Sequence, residues 1–270
     1  MESANEHTAG FIRYGVPLFE ELGVPVTWYV TGRTMERYPE LFRQVEGHPL
    51  IELQAHTYDH ILLKSIWIEI PPGKVIHDTT GHFLKRGESL EVIDADLRKC
   101  QQVFQDTLGR RAIGLTAPWG YYRGLADRPD ILEIVHEHGF RYLRSFSRNE
   151  TDGQPVPMEW RPFLYKEHGR GDMAELLVHD YQDDFLWEMF CDHAPTETYA
   201  DHMMRMVDRV AAEDLVWSTD SHDHGTATPE GFAKKGDWYR CFVSHAKAKG
   251  IRFMTGTAYY EGLLRGDEGR

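Results

Sequence analysis

The chain has 270 residues, 41% of them hydrophobic and 27% charged, with 13 Phe, 13 Tyr and 7 Trp. That much apolar surface excludes a disordered state and suits one large domain over residues 1–270 better than two ordinary ones. The net charge of −13 argues against a nucleic-acid partner, which needs clustered Lys and Arg. No apolar run approaches the ~20 residues that cross a bilayer, so no membrane partner is expected, whereas a homo-oligomer is compatible with the composition.

In chain order, a cadence of helix, glycine and strand recurs. Glu20-Glu21-Leu22-Gly23 closes a helix and leads into the β-rich run Val24 to Val30. Glu46-Gly47 leads into Leu50 to Ala55 in the same way. Residues 61–88 break the cadence, with Ile66 to Ile70, Pro71-Pro72-Gly73 and Thr79-Thr80-Gly81 suggesting an inserted hairpin or loop. Ile93, Leu97, Cys100, Phe104 and Leu108 share one helical face from a start near Ser89. Leu108-Gly109 precedes a strand from Ala112. Pro129 opens a helix that ends before His138-Gly139 and a strand from Phe140. Met203, Met206, Val207 and Val210 mark another helix, and Leu215 to Ser218 and Ile251 to Met254 read as further strands. Alternating strands and helices predict a parallel sheet, open or rolled into a barrel. Five or more such units in 270 residues favour the barrel, with its active site at the C-terminal strand ends.

Fifteen histidines direct attention to metal and proton-transfer chemistry. Cys100, Cys191 and Cys241 are too few for a disulfide framework or a thiolate zinc site, and with no visible leader they point to a reduced, cytoplasmic setting. The sharpest constellation is His56-Thr57-Tyr58-Asp59-His60, directly off a strand. Two histidines four apart on one face of a helical turn can reach one ion; in a histidine-rich chain the same spacing also arises on plain surfaces. His222 and His224 sit among carboxylates in Asp220-Ser221-His222-Asp223-His224, a setting for an acid catalyst, and His222 is favoured because it follows its strand more closely. His179, His193 and His202 are spare candidates, each more often a structural histidine than a ligand.

The order Val24 to Gly32, Tyr38-Pro39-Glu40-Leu41, then a strand ending in His56 to His60 resembles the polysaccharide deacetylase superfamily (NodB homology, carbohydrate esterase family 4). Ala117-Pro118-Trp119-Gly120 is similar to its third motif, and Leu215 to His222 to its last. Leu176 to Val178 followed by Asp183-Asp184 is similar to its allantoinase-like and peptidoglycan-deacetylase-like branches. The resemblance implies a distorted (β/α) barrel of about seven strands and hydrolysis of an amide C–N bond, with deacetylation of an N-acetylated sugar or related small molecule. It also implies a divalent metal (zinc, with cobalt or nickel as alternatives) on His56, His60 and an acid. His222 would be the catalytic acid, and Pro118, Trp119, Gly120 and Asp184 would contact substrate. A cyclic-imide or allantoinase-like hydrolase, with or without metal, and a degenerate carbohydrate- or partner-binding barrel are the alternatives.

Two departures bear on the chemistry. The family opens on a strand ending in two acids, base and metal ligand. Here Met1-Glu2 matches only the tail of a "D-M-E" variant, so Glu2 is the candidate third ligand, while the first strand and the base have no counterpart. The plainer alternative is a frayed terminal Glu2. Thr116 stands where the third motif carries arginine, and Arg123, Arg144 and Arg148 are the candidates to replace it. Trp119, Tyr121 and Tyr122 read equally as a binding wall and as core.

Overall fold

Helix α1 (Glu6–Leu22) begins where the Asn5 side chain accepts from the His7 amide and ends at Gly23, left-handed at φ 60°. Its buried face of Phe11, Ile12, Leu18 and Phe19 packs into the main core. In the computed structural model, which describes residues 1–70, 80–186 and 199–267, the chain then passes through β1 (Val26–Val30), α2 (Gly32–Arg37), α3 (Pro39–Val45) and β2 (Ile51–Ala55). Next come β3 (Ile66–Glu69), β4 (His82–Lys85), α4 (Leu90–Leu108), β5 (Gly114–Tyr122), α5 (Pro129–Glu137) and β6 (Tyr142–Arg148). The remainder is β7 (Phe163–Tyr165), β8 (Arg170–Glu175), α6 (Asp183–Leu186), α7 (Tyr199–Glu213), α8 (Pro229–Ala248) and α9 (Gly256–Arg265).

Six of these strands form one sheet in the order β1-β2-β5-β6-β8-β7, parallel throughout except for the β7–β8 pair. The fold is therefore α/β with a mostly parallel sheet. Within residues 61–88, β3 and β4 pair antiparallel with Ile66 opposite Lys85; the expected Pro71-Pro72-Gly73 turn lies outside the described residues.

The sheet departs from seven parallel strands at one side. Residues 215–219 and 251–254, expected as strands, carry no ladder. A strand exists through its neighbours, and these two segments face a cavity of about 1580 Å³ instead. Val26 to Tyr29, Leu215 to Asp223 and Ile251 to Gly256 line it, together with core aromatics such as Phe11, Phe19 and Phe242. Protein interiors rarely leave room for more than a few waters, so this opening is a slot along the outer edge of β1, of a size that holds a ligand.

Met1 marks one end of that slot. Its ammonium donates to the Tyr29 carbonyl (2.5 Å) and its carbonyl accepts from Thr31 (3.2 Å), the pattern of a parallel pair opposite Val30. The β1–β2 register points the Trp28 and Val30 amides at β2 and the Tyr29 amide at the slot. Hydrogen exchange should therefore find Trp28 and Val30 strongly protected and Tyr29 fast. Equal protection at all three would mean that the edge is covered.

Candidate metal centre and active site

His56 and His60 leave the C-terminal end of β2, where a parallel sheet presents its ligands. They do not lie on a helical turn as their spacing predicted: residues 56–60 form an irregular loop with Thr57 at φ 57° and His60 at φ 55°. Those two left-handed residues fold the loop back, so that the imidazoles meet edge to face with centroids 4.8 Å apart. The loop is fastened on both flanks. The Gly32 and Arg33 amides at the start of α2 donate to the Thr57 and Tyr58 carbonyls (2.9 and 3.0 Å). From α4, the buried Asp96 carboxylate accepts from the amides of Tyr58 (2.7 Å) and Asp59 (2.9 Å).

Glu2 completes the group. One ligand atom from each of Glu2, His56 and His60 lies within 4.8 Å of the others. Glu2 Oε2 is 2.7 Å from His60 Nε2 and 3.3 Å from His56 Nε2, and Oε1 is 3.5 Å from His224 Nε2. Glu2 is not frayed. Met1 is held by β1, and the Ser3 hydroxyl donates to Asp223 (2.8 Å), which also accepts from the buried Thr8 hydroxyl. Burial alone would raise the Glu2 pKa, but His224, His56 and His60, ranged around the carboxylate, outweigh it and hold the carboxyl far below its usual range.

The protonation pattern of this cluster follows from geometry. His56 Nδ1 lies 2.8 Å from the Thr116 carbonyl, which can only accept, so Nδ1 carries the proton and Nε2 presents its lone pair to Glu2. Burial pushes the His56 pKa down to about 4, so at neutral pH two acceptors face each other across 3.3 Å. A cation between them resolves that opposition. Two neutral imidazoles and a carboxylate are the donor set of an open divalent-metal site, with a backbone carbonyl orienting one ring.

Across the same cavity, His222 is held by Asp183 at the start of α6. Its amide donates to Asp183 Oδ2 (2.9 Å) and its Nδ1 to Oδ1 (2.5 Å). Lys235, buried on α8, adds a contact to Asp183 Oδ2 (3.4 Å) and donates to the His222 carbonyl. Burial would raise the Asp183 pKa; the charge and hydrogen bonds of His222, with Lys235, hold it below its ordinary value. His224 stacks on His222 at 5.2 Å and faces Glu2.

Sequence reasoning placed Asp184 at the site, yet Asp183 is the residue that reaches His222; the Asp184 side chain lies outside the described residues. The only signal was the Asp-Asp pair itself, and choosing between adjacent acids requires the phase of the short α6. Of the predicted substrate residues, Trp119 lines the cavity. Pro118 and Gly120 are buried behind it, because β5 shifts register between Thr116 and Tyr121 and turns through Trp119 at φ 67° and Gly120 at φ 60°. A Cβ on Gly120 would sit 1.5 Å from Ser147 Oγ, so only glycine fits there.

Tyr121 is core, with its hydroxyl accepting from the Leu63 amide (2.8 Å), and Tyr122 packs on Phe146 and Trp160. The arginine that replaces Thr116 in space is Arg144, its partner in the β5–β6 register. Its guanidinium reaches Thr116 Oγ1 (3.4 Å), Ser218 Oγ (3.1 Å) and the Thr219 carbonyl (3.0 Å), while Arg123 is exposed. His179, expected as structural, bonds the Trp160 carbonyl and the Ser218 amide, and His202 pairs with Asp180; His193 lies outside the described residues.

Comparison with known proteins defines the class. The sequence profile of the polysaccharide deacetylase family matches residues 6–143, just over half of the chain, and the chain belongs to that family. The matched span holds His56 and His60 but neither Glu2 nor the Asp183–His222 pair. Among curated relatives, the peptidoglycan deacetylase of Helicobacter pylori is 24% identical over 200 residues, covering 67% of this chain. The chain spans 58% of that relative's own length. Among solved structures, one assigned as a polysaccharide deacetylase from Mycobacterium smegmatis aligns with a TM-score of 0.63 at 18% identity, over 97% of this chain and 80% of its own. The PuuE allantoinase aligns at 0.62 and 15% identity, over 97% and 74%. At these identities the likeness is one of fold. Among the described residues no helix is long and apolar enough to cross a membrane.

Replacing His56 by Ala should abolish stoichiometric binding of zinc or cobalt, measured by competition with a chromophoric chelator. Asp96→Ala, which unfastens the loop without removing a ligand, should weaken binding about ten- to a hundredfold. Because His56 stays neutral down to about pH 4, its protonation should not erode binding between pH 7 and 5 and should do so only as pH falls through 4.

Proposed function

We propose that this protein is a divalent-metal-dependent hydrolase of amide C–N bonds that removes the acetyl group from an N-acetylated sugar or a related small molecule. One observation carries the reading: Glu2, His56 and His60 converge in the cavity that also presents the Asp183-held His222. Zinc suits this donor set, with cobalt or nickel as substitutes. A bound ion would polarise the substrate carbonyl and lower the pKa of a water.

The chain's own residues supply the rest. The Thr116 carbonyl fixes His56 as the tautomer that offers Nε2. Asp183 accepts the Nδ1–H hydrogen bond of His222, leaving the opposite ring nitrogen to exchange protons, and its negative charge stabilises the imidazolium that protonates the leaving amine. Arg144 places a positive charge against Thr116, beside the carbonyl that orients His56.

The water's proton needs an acceptor, which the family resemblance implies is a carboxylate.

The ring-ureide reading stays open because the fold also matches an allantoinase. Acetate release from N-acetylated chitooligosaccharides, and ring opening of allantoin, should be measured on the metal-loaded protein, which should release acetate and lose activity to a chelator. His222→Ala and Asp183→Asn should each lower kcat, by about 100- to 10,000-fold for the loss of the acid, with little change in KM. Ring opening without acetate release would move the assignment to a cyclic-ureide hydrolase. If the protein acts on neither substrate, the assignment fails.

A further inference from the structure

One stretch of the cavity rim runs against the charge of the molecule. In a chain of net charge −13, Lys85, Arg86 and Arg148 all line the cavity near Trp119. Arg148, at the end of β6, is only 7% exposed. Its Nε donates to the carbonyls of Trp119 and Gly120 (3.1 Å each) and its Nη1 to the carbonyl of Asp152. Nη2 donates to no acceptor among the described residues, and no carboxylate there lies within ion-pair distance of this guanidinium. The nearby Asp152 carboxylate instead accepts from the Trp67 amide (3.1 Å). Lys85, the last residue of β4, sets its ammonium 3.7 Å over the Trp119 ring and likewise has no carboxylate partner among the described residues. Burial lowers the pKa of both cations.

A largely buried cation whose nearby counter-charge, Asp152, lies beyond ion-pair distance is costly. Three carbonyls account for one side of Arg148: they pin the Trp119–Gly120 turn and shape the wall. They do not neutralise the charge, and they leave Nη2 unclaimed. The hairpin brings the Lys85 ammonium over the ring of the same tryptophan. An anionic oxygen group seated at this rim would be met by a guanidinium nitrogen and an ammonium beside an aromatic plane.

We propose that Lys85 and Arg148, framed by Trp119, form an anion-binding subsite, so that the preferred substrate carries a carboxylate or phosphate in addition to the bond that is cleaved. This inference rests on the reading of the cavity as the substrate site but not on hydrolysis itself, and binding tests it separately. Isothermal titration would compare N-acetylmuramic acid and N-acetylglucosamine 6-phosphate with neutral N-acetylglucosamine, and lactate and inorganic phosphate as probes without an acetamide. An anionic probe should bind about ten- to a hundredfold more tightly than its neutral counterpart. Whichever of the carboxylate and phosphate arms shows the larger gain identifies the group.

Arg148→Gln and Lys85→Gln should each erase that ratio, and Arg148→Lys should keep part of it. If Arg148 only pins the turn, its replacement would weaken acid and neutral probes alike. Lys85, on the hairpin rim, gives a variant that does not depend on a buried residue. Anion affinity unchanged in both Gln variants, or no anion bound by the wild-type chain up to tens of millimolar, would overturn the subsite. Anion binding without acetate release would leave the subsite standing and count against the deacetylase assignment.

Discussion

The site depends on one half-buried carboxylate, that of Glu2. Glu2 lies among the Nε2 atoms of His56, His60 and His224, with Met1 held by β1 and Ser3 by Asp223 on either side. A carboxylate facing a lone pair at 3.3 Å is repulsive unless a cation sits between them. The depressed His56 pKa makes a proton a poor candidate at neutral pH. The surrounding architecture exists to hold that arrangement: the left-handed residues Thr57 and His60, the α2 amides, the Asp96 staple and the Thr116 carbonyl.

The second half of the site is built on the same plan from unrelated elements. Asp183 fastens the backbone and side chain of His222, as Asp96 fastens the backbone of the His56–His60 loop. Lys235 on α8 offsets the buried Asp183 charge. Asp223, between the two histidines of the 222–224 segment, anchors the N-terminal segment that carries Glu2 through the Ser3 hydroxyl. The two halves are thus mechanically joined, and strain on either would be felt by both.

Local signals made much of this legible. Gly23 and Ser89 end and begin helices as their residue types predict, because capping is decided within a few residues. The His56–His60 pair was visible because its spacing and its strand are contiguous. What failed depended on distant neighbours. Residues 215–219 and 251–254 have strand-like sequences but no ladder, since a ladder belongs to a pair of segments. That Arg144 stands opposite Thr116 needs the β5–β6 register, and that Asp183 meets His222 needs the phase of α6. Helical spacing misdescribed the histidine loop because positive φ values at two ordinary residues leave no mark in the sequence.

X-ray absorption at the zinc or cobalt edge of the loaded protein tests the central claim most directly. The account predicts two imidazole nitrogens and a carboxylate oxygen at about 2.0–2.2 Å, with water completing the shell. A single imidazole, a sulfur ligand, or an ion that remains fully bound after His60→Ala would contradict it.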